Sequence, residues 1–107
     1  MIEHEEAENF MISKFLNFID VSEKTESIYR RALKQLFRYF ESESINAPER
    51  TDIINFRKHI EHSGHKPATT ALYMTACRRF FSWTAQTGIY PNVAAGVKSP
   101  KQDYGHK

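Results

Sequence analysis

One cysteine, Cys77, stands among 107 residues, so no internal disulfide can brace the core, and a reducing, cytoplasmic setting is expected. Its neighbours mark Cys77 as a small buried hydrophobe rather than a nucleophile. No apolar run approaches the roughly 18 residues that a membrane span needs. The acidic opening EHEEAE, residues 3–8, is unlike a secretion signal, so no membrane partner is expected. Glycine is scarce, at 4, and the 4 prolines (Pro48, Pro67, Pro91 and Pro100) fall between periodic segments instead of inside them. They act as punctuation. No segment sustains period-two alternation, which argues against strands. Acidic residues are missing throughout residues 68–87, and that absence bears on function.

What is present suffices for a core. Hydrophobic residues make up 40% and aromatics 13%, well above a disordered composition, and the length fits one domain. The formal net charge of +2 says almost nothing about a partner, so the distribution of charge must carry that argument.

Four helices are expected. Over residues 5–19, Phe10, Ile12, Phe15, Leu16 and Ile19 recur at three- and four-residue steps, with Met11 and Phe18 adding apolar surface on a second side. That face is wider than a small core requires. Ser22 is the expected N-cap of a second helix over 23–41, with Ile28, Tyr29, Ala32, Leu33, Leu36, Phe37, Tyr39 and Phe40 as its apolar stripe. A third helix runs from Thr51 as N-cap to about His62, buries Ile53, Phe56 and Ile60, and closes with Gly64 as C-cap. The fourth begins at Pro67 or Ala68, where proline suits the first turn, and ends at Thr87 before Gly88. Beyond Gly88 only a short helical turn near residues 92–95 is expected, followed by an extended tail.

The cations align once these helices are wound. Lys24, Ser27, Arg31, Lys34 and Arg38 are spaced by three or four residues, making one stripe opposite the apolar face of the second helix, with Arg30 at its flank. On the fourth helix, Leu72, Ala76, Phe80 and Trp83 are expected inside with Tyr73, Cys77 and Phe81. Arg78 and Arg79 bracket the opposite side, together with Ala68, Ala71, Thr75 and Ser82. A solvated helix face usually mixes charge signs in i,i+4 pairs, and here no carboxylate interrupts. The bland alternative is that lysine and arginine merely solubilise two surface helices. Two stripes with acid-free centres favour an anionic partner, because small polar residues beside arginine are what phosphate and base contacts use.

The segments SEKTESIYRRALKQLFRYF (residues 22–40), TTALYMTACRRFFSWTAQTG (residues 69–88) and VKSPK (residues 97–101) occur in that order. In this they resemble the core-binding, SAM-like N-terminal domain of tyrosine recombinases, the phage integrase and Xer family. The resemblance spans about residues 10–107. Where the family usually has Asn-Pro after the fourth helix, this chain has Asn92-Val93.

The resemblance implies an all-α fold, a four-helix SAM-like core-binding domain made of two crossed helical hairpins with an extended C-terminal linker. Residues 1–96 would form the DNA-binding domain, and 97–107 the start of a linker to an absent catalytic domain. It further implies a DNA integration and recombination role, encoded by a mobile element or a chromosome, in which the second and fourth helices clamp double-stranded DNA near the crossover site. Lys24, Thr25, Ser27, Arg31, Lys34 and Arg38 on the second helix become expected contacts, with Thr70, Thr75, Arg78 and Arg79 on the fourth and Lys66 just before it. Helical projection tilts Thr70 toward the core side. Thr75, Arg78 and Arg31 are the residues expected to reach base edges.

The family's tyrosine nucleophile and its arginine, lysine and histidine helpers belong to that second domain, so no catalysis, cofactor or metal is expected from these residues. His59, His62 and His65 step by three but lack a thiolate partner, and histidines also suit a helix C-terminus. The wide apolar first helix is the expected contact for neighbouring recombinase protomers on DNA, the isolated domain being monomeric. The rival expectation is a helical protein-interaction module that uses this first helix and leaves the basic faces idle.

Overall fold

Prolines and caps divide the chain where the sequence places them. The structure, a computed structural model, describes residues 2–99, with side chains from residue 5 onward. It contains α1 (Ile2–Ile19), α2 (Glu23–Ser42), α3 (Arg50–Glu61) and α4 (Pro67–Thr87), with no strand among the described residues. The all-helical, four-helix expectation holds. Residues 100–107, most of the expected linker, lie outside the described residues.

The chain forms two compact units, Met1–Ala47 and Pro48–Lys107. In the first, α1 packs on α2, and in the second, α3 packs on α4, so each unit is built on a helical hairpin. Ser22 caps α2 as expected, accepting a hydrogen bond from the Thr25 amide at 3.2 Å. The helix ends when Ser44 turns left-handed at φ 57°. There the Ile45 amide returns to the Phe40 carbonyl at 2.8 Å and the Ser44 amide to that of Glu41 at 3.2 Å, the paired bonds of a Schellman motif. Buried Ile12, Phe15, Leu16, Leu33, Leu36 and Phe40 each contribute about 1.5–3 kcal/mol relative to exposure.

Several boundaries and faces differ from expectation. The start of α3 is set by Glu49 rather than Thr51, because the Glu49 amide donates to Asp52 Oδ2 at 2.8 Å, half of a capping box. His62, not Gly64, is its C-cap. Phe10 is 66% exposed, since two residues of helix turn it away from Ile12 and onto the line Phe10, Lys14, Phe18. Leu72 is 43% exposed because it lies seven residues, two full turns, from Arg79. Residues 93–96 form a turn without becoming helical. Gly88 closes α4 at φ 78°, a conformation that costs a side-chain-bearing residue about 1–2 kcal/mol.

The second unit buries Ile53, Phe56, Ile60, Phe80, Phe81 and Trp83, with the Phe80 and Phe81 rings 5.2 Å apart at 72°, a favoured edge-on arrangement. Cys77 is buried among them. Burial pushes its thiol up to about 12, against the opposing pull of the Arg78 charge. It therefore stays protonated and unreactive at neutral pH.

Candidate nucleic-acid interface

On α2, the hydrophobic stripe dictates where the cations go. Burial of Tyr29, Ala32, Leu33, Leu36 and Phe37 leaves Lys24, Ser27, Arg31, Lys34 and Arg38 exposed. They form one line about 21 Å long at 1.5 Å per residue. No carboxylate occurs within residues 27–40. Like charges three or four residues apart on a helix cost about 0.2–0.5 kcal/mol per pair, so a polyanion along this line would replace mutual repulsion by attraction.

The residues beside that line are committed elsewhere. Arg30 pairs with Glu26 at 3.4 Å and donates to Ser13 Oγ of α1 at 3.3 Å, which ties the hairpin together and removes Arg30 from the stripe. Thr25 is half-buried, its hydroxyl accepting from Ser22 Oγ at 3.2 Å.

On α4 the outward line is Ala68, Leu72, Thr75, Arg79 and Ser82. Ala68, Leu72, Arg79 and Ser82 are exposed and Thr75 is half-buried. Lys66 is exposed at the N-cap position, where its helix offers free amide groups to an anion. Ala71, expected on the polar face, is half-buried. The Thr75 hydroxyl donates to the Ala71 carbonyl at 3.0 Å and accepts from Arg78 Nη2 at 3.2 Å.

Two expected contacts on α4 are drawn inward. Thr70 is fully buried, and its hydroxyl has no hydrogen-bond partner among the described residues. It faces protein rather than solvent. Arg78 is half-buried. Its guanidinium donates to the Val97 carbonyl at 2.9 Å and to Ser99 Oγ at 3.0 Å, so an anion would have to displace these partners. The structure thus brings Lys24, Ser27, Arg31, Lys34 and Arg38 together on one unit; on the other, Thr75 and Arg79 share the outward line of α4, and Lys66 stands exposed at the N-terminus of that helix.

Two arginines with roles in the second unit had no part in the sequence expectation. Arg50 donates to the Ala95 carbonyl and Arg57 Nη1 to that of Lys98 at 3.0 Å. Their seven-residue spacing along α3 is the signal that could have paired them. No group of three or more metal-ligating side chains converges among the described residues, so His59, His62 and His65 do not assemble a site. Near α4, the His65 ring lies 5.5 Å from that of Tyr73. No described helix is long and apolar enough to cross a membrane.

The described residues thus present two helical hairpins, one with an exposed cationic line on α2 that no acid interrupts from residue 27 to residue 40, the other with exposed Lys66 and Arg79 on an acid-free helix. A family model described as "Phage integrase, N-terminal SAM-like domain" matches residues 12–88. The chain belongs to this family, the SAM-like core-binding domains of tyrosine recombinases and integrases. Among curated relatives, the tyrosine recombinase XerC of Shigella flexneri serotype 5b (strain 8401) is 26% identical over 98 residues, covering 84% of this chain and 33% of the relative. The proteins of the same name from Escherichia coli strain K12 / DH10B and strain O139:H28 (E24377A / ETEC) match with the same identity and coverage. The chain thus spans about a third of the length of the curated relatives it matches. No solved structure gives a significant match.

Proposed function

We propose that this chain is the duplex-holding part of a site-specific tyrosine recombinase, gripping double-stranded DNA near the crossover site during integration or recombination. The observation that carries this reading is the exposed line Lys24, Ser27, Arg31, Lys34 and Arg38, uninterrupted by acid from residue 27 to residue 40. Family membership supports it. The lysines and arginines would take phosphates, each releasing counterions. Arg79, beside the small residues Thr75 and Ser82, is the α4 side chain best placed to enter a groove. No strand-cleaving step is assigned to these residues. Tyr29 and Tyr73 are buried, out of reach of a phosphodiester.

Titrating a labelled duplex at two salt concentrations tests the reading. Binding in the ~10⁻⁴ to 10⁻⁶ M range, weakening steeply with salt, is expected. Absence of binding at low salt sinks it.

A second reading concerns α1. Phe10 and Phe18 are 66% and 63% exposed, with the Lys14 ammonium 5.5 Å from the Phe10 ring. Side chains of this size on one helix suit a protein contact: a neighbouring protomer on DNA or, in the rival reading, an unrelated protein. Sedimentation with and without duplex separates these. Assembly only on DNA supports the protomer contact, and its persistence in a Phe10→Ala, Phe18→Ala variant contradicts it.

A further inference from the structure

We infer that Arg50, Arg57 and Arg78 form a carbonyl latch that fastens residues 95–99 to the α3–α4 hairpin and holds that segment in one conformation. A segment without helix or strand has carbonyls that its own backbone does not satisfy, and each bonds either water or a side chain. Here four consecutive carbonyls are taken by guanidinium groups from three positions. Arg50 reaches those of Ala95 and, at 3.4 Å, Gly96. Arg78 reaches that of Val97 at 2.9 Å, and Arg57 that of Lys98 at 3.0 Å. The second arm of Arg78 holds Ser99 Oγ at 3.0 Å.

Packing reinforces the latch. Ala94 and Val97 are buried, anchoring the segment in the unit, and the Val97 amide donates to the Ala94 carbonyl at 3.1 Å. Gly96 takes φ 74°, and a Cβ there would sit 3.7 Å from Arg50 Nη1. That distance is ordinary contact, so glycine is favoured here by the positive φ, a backbone conformation that other residues rarely adopt.

Among the described residues, every hydrogen-bond acceptor of Arg78 is neutral: Val97 O, Thr75 Oγ1 and Ser99 Oγ. Its planar fork spans acceptors that a lysine, a point charge, cannot hold together. Arg78 is thereby a positioning residue for residues 97–99, whatever its relation to DNA.

Amide hydrogen exchange and ¹⁵N relaxation on the full 107-residue chain test the latch. In the unaltered protein, Val97, Lys98 and Ser99 are expected to show order parameters near the rigid value of ~0.85. Arg78→Ala should accelerate Val97 exchange about tenfold or more while Phe80 and Phe81 keep their protection. Arg78→Lys should fall between. Order parameters below ~0.6 at these three residues in the unaltered protein would overturn the inference without any variant. Where Arg78→Ala loses helical circular dichroism, Arg57→Gln supplies the comparison, and unchanged Val97 exchange in a folded variant contradicts the latch.

Discussion

A guanidinium nitrogen of Arg78 lies 2.9 Å from the carbonyl oxygen of Val97, and that bond gives Arg78 surroundings different from those of its neighbour Arg79. Arg78 turns toward its own chain, half-buried, while Arg79, one residue on, is exposed beside Thr75 and Ser82. A 100° step around the helix is enough to divide them.

Arg79→Ala should therefore lower duplex affinity and reduce the slope of log affinity against log salt by about 0.9, the share of one phosphate. Helical content should be unchanged. Fluorescence anisotropy across a salt series reads the slope, and an unaltered slope contradicts the placement of Arg79 against DNA.

Thr70→Val replaces a fully buried hydroxyl that has no partner among the described residues by a methyl of similar shape. The expected outcome is neutral to stabilising by about 1 kcal/mol, since an unsatisfied buried donor is a cost that its removal relieves. Urea denaturation measures it. Destabilisation beyond about 1 kcal/mol would show that the hydroxyl is partnered, and duplex affinity should not change in either case.

Cys77 sets an alkaline limit. Its thiol stands at about 12 against an ordinary 9.0, so the native state holds the proton more tightly than the unfolded chain. That contribution to stability is complete below about pH 9 and is lost as pH rises toward about 12, by up to about 1.4 kcal/mol per pH unit. Between pH 8 and 10.5, the stability of the native protein relative to Cys77→Ala should fall by roughly 2 kcal/mol. A constant difference contradicts the burial. At pH 8 the folded protein should also resist thiol reagents.

Removing the α2 cap by Ser22→Ala should cost about 1 kcal/mol, because the Thr25 amide, now bonded to Ser22 Oγ at 3.2 Å, loses its side-chain acceptor. The urea midpoint reads the loss, and an unchanged midpoint would show that water satisfies the amide equally well.

The helices were legible because periodicity and caps are local: Ser22, Pro67 and Gly88 bound α2 and α4 where the sequence places them. The exposed line on α2 was legible for the same reason, since a buried stripe of large residues leaves little choice about the opposite face. What escaped was non-local. Residues 95–99 have no period of their own and take their place from Arg50 and Arg57 of α3 and Arg78 of α4; the seven-residue spacing of Arg50 and Arg57 puts the two on one face but does not announce what they hold. Thr51 is the favoured N-cap residue type, yet the bond from the Glu49 amide to Asp52 starts the helix earlier. Leu72 misled because leucine is usually core, yet its heptad spacing to Arg79 puts it outside.

The most direct test of the duplex-holding role is the salt dependence of duplex binding for the unaltered chain beside an Arg31→Ala, Lys34→Ala variant. Both residues are exposed on the line opposite the core, so the fold should survive. The slope of log affinity against log salt should become shallower by about 1.8, twice the share of one phosphate, with weaker binding at every salt concentration. Equal slopes and equal affinities for the two folded proteins would contradict the assignment of α2 to DNA.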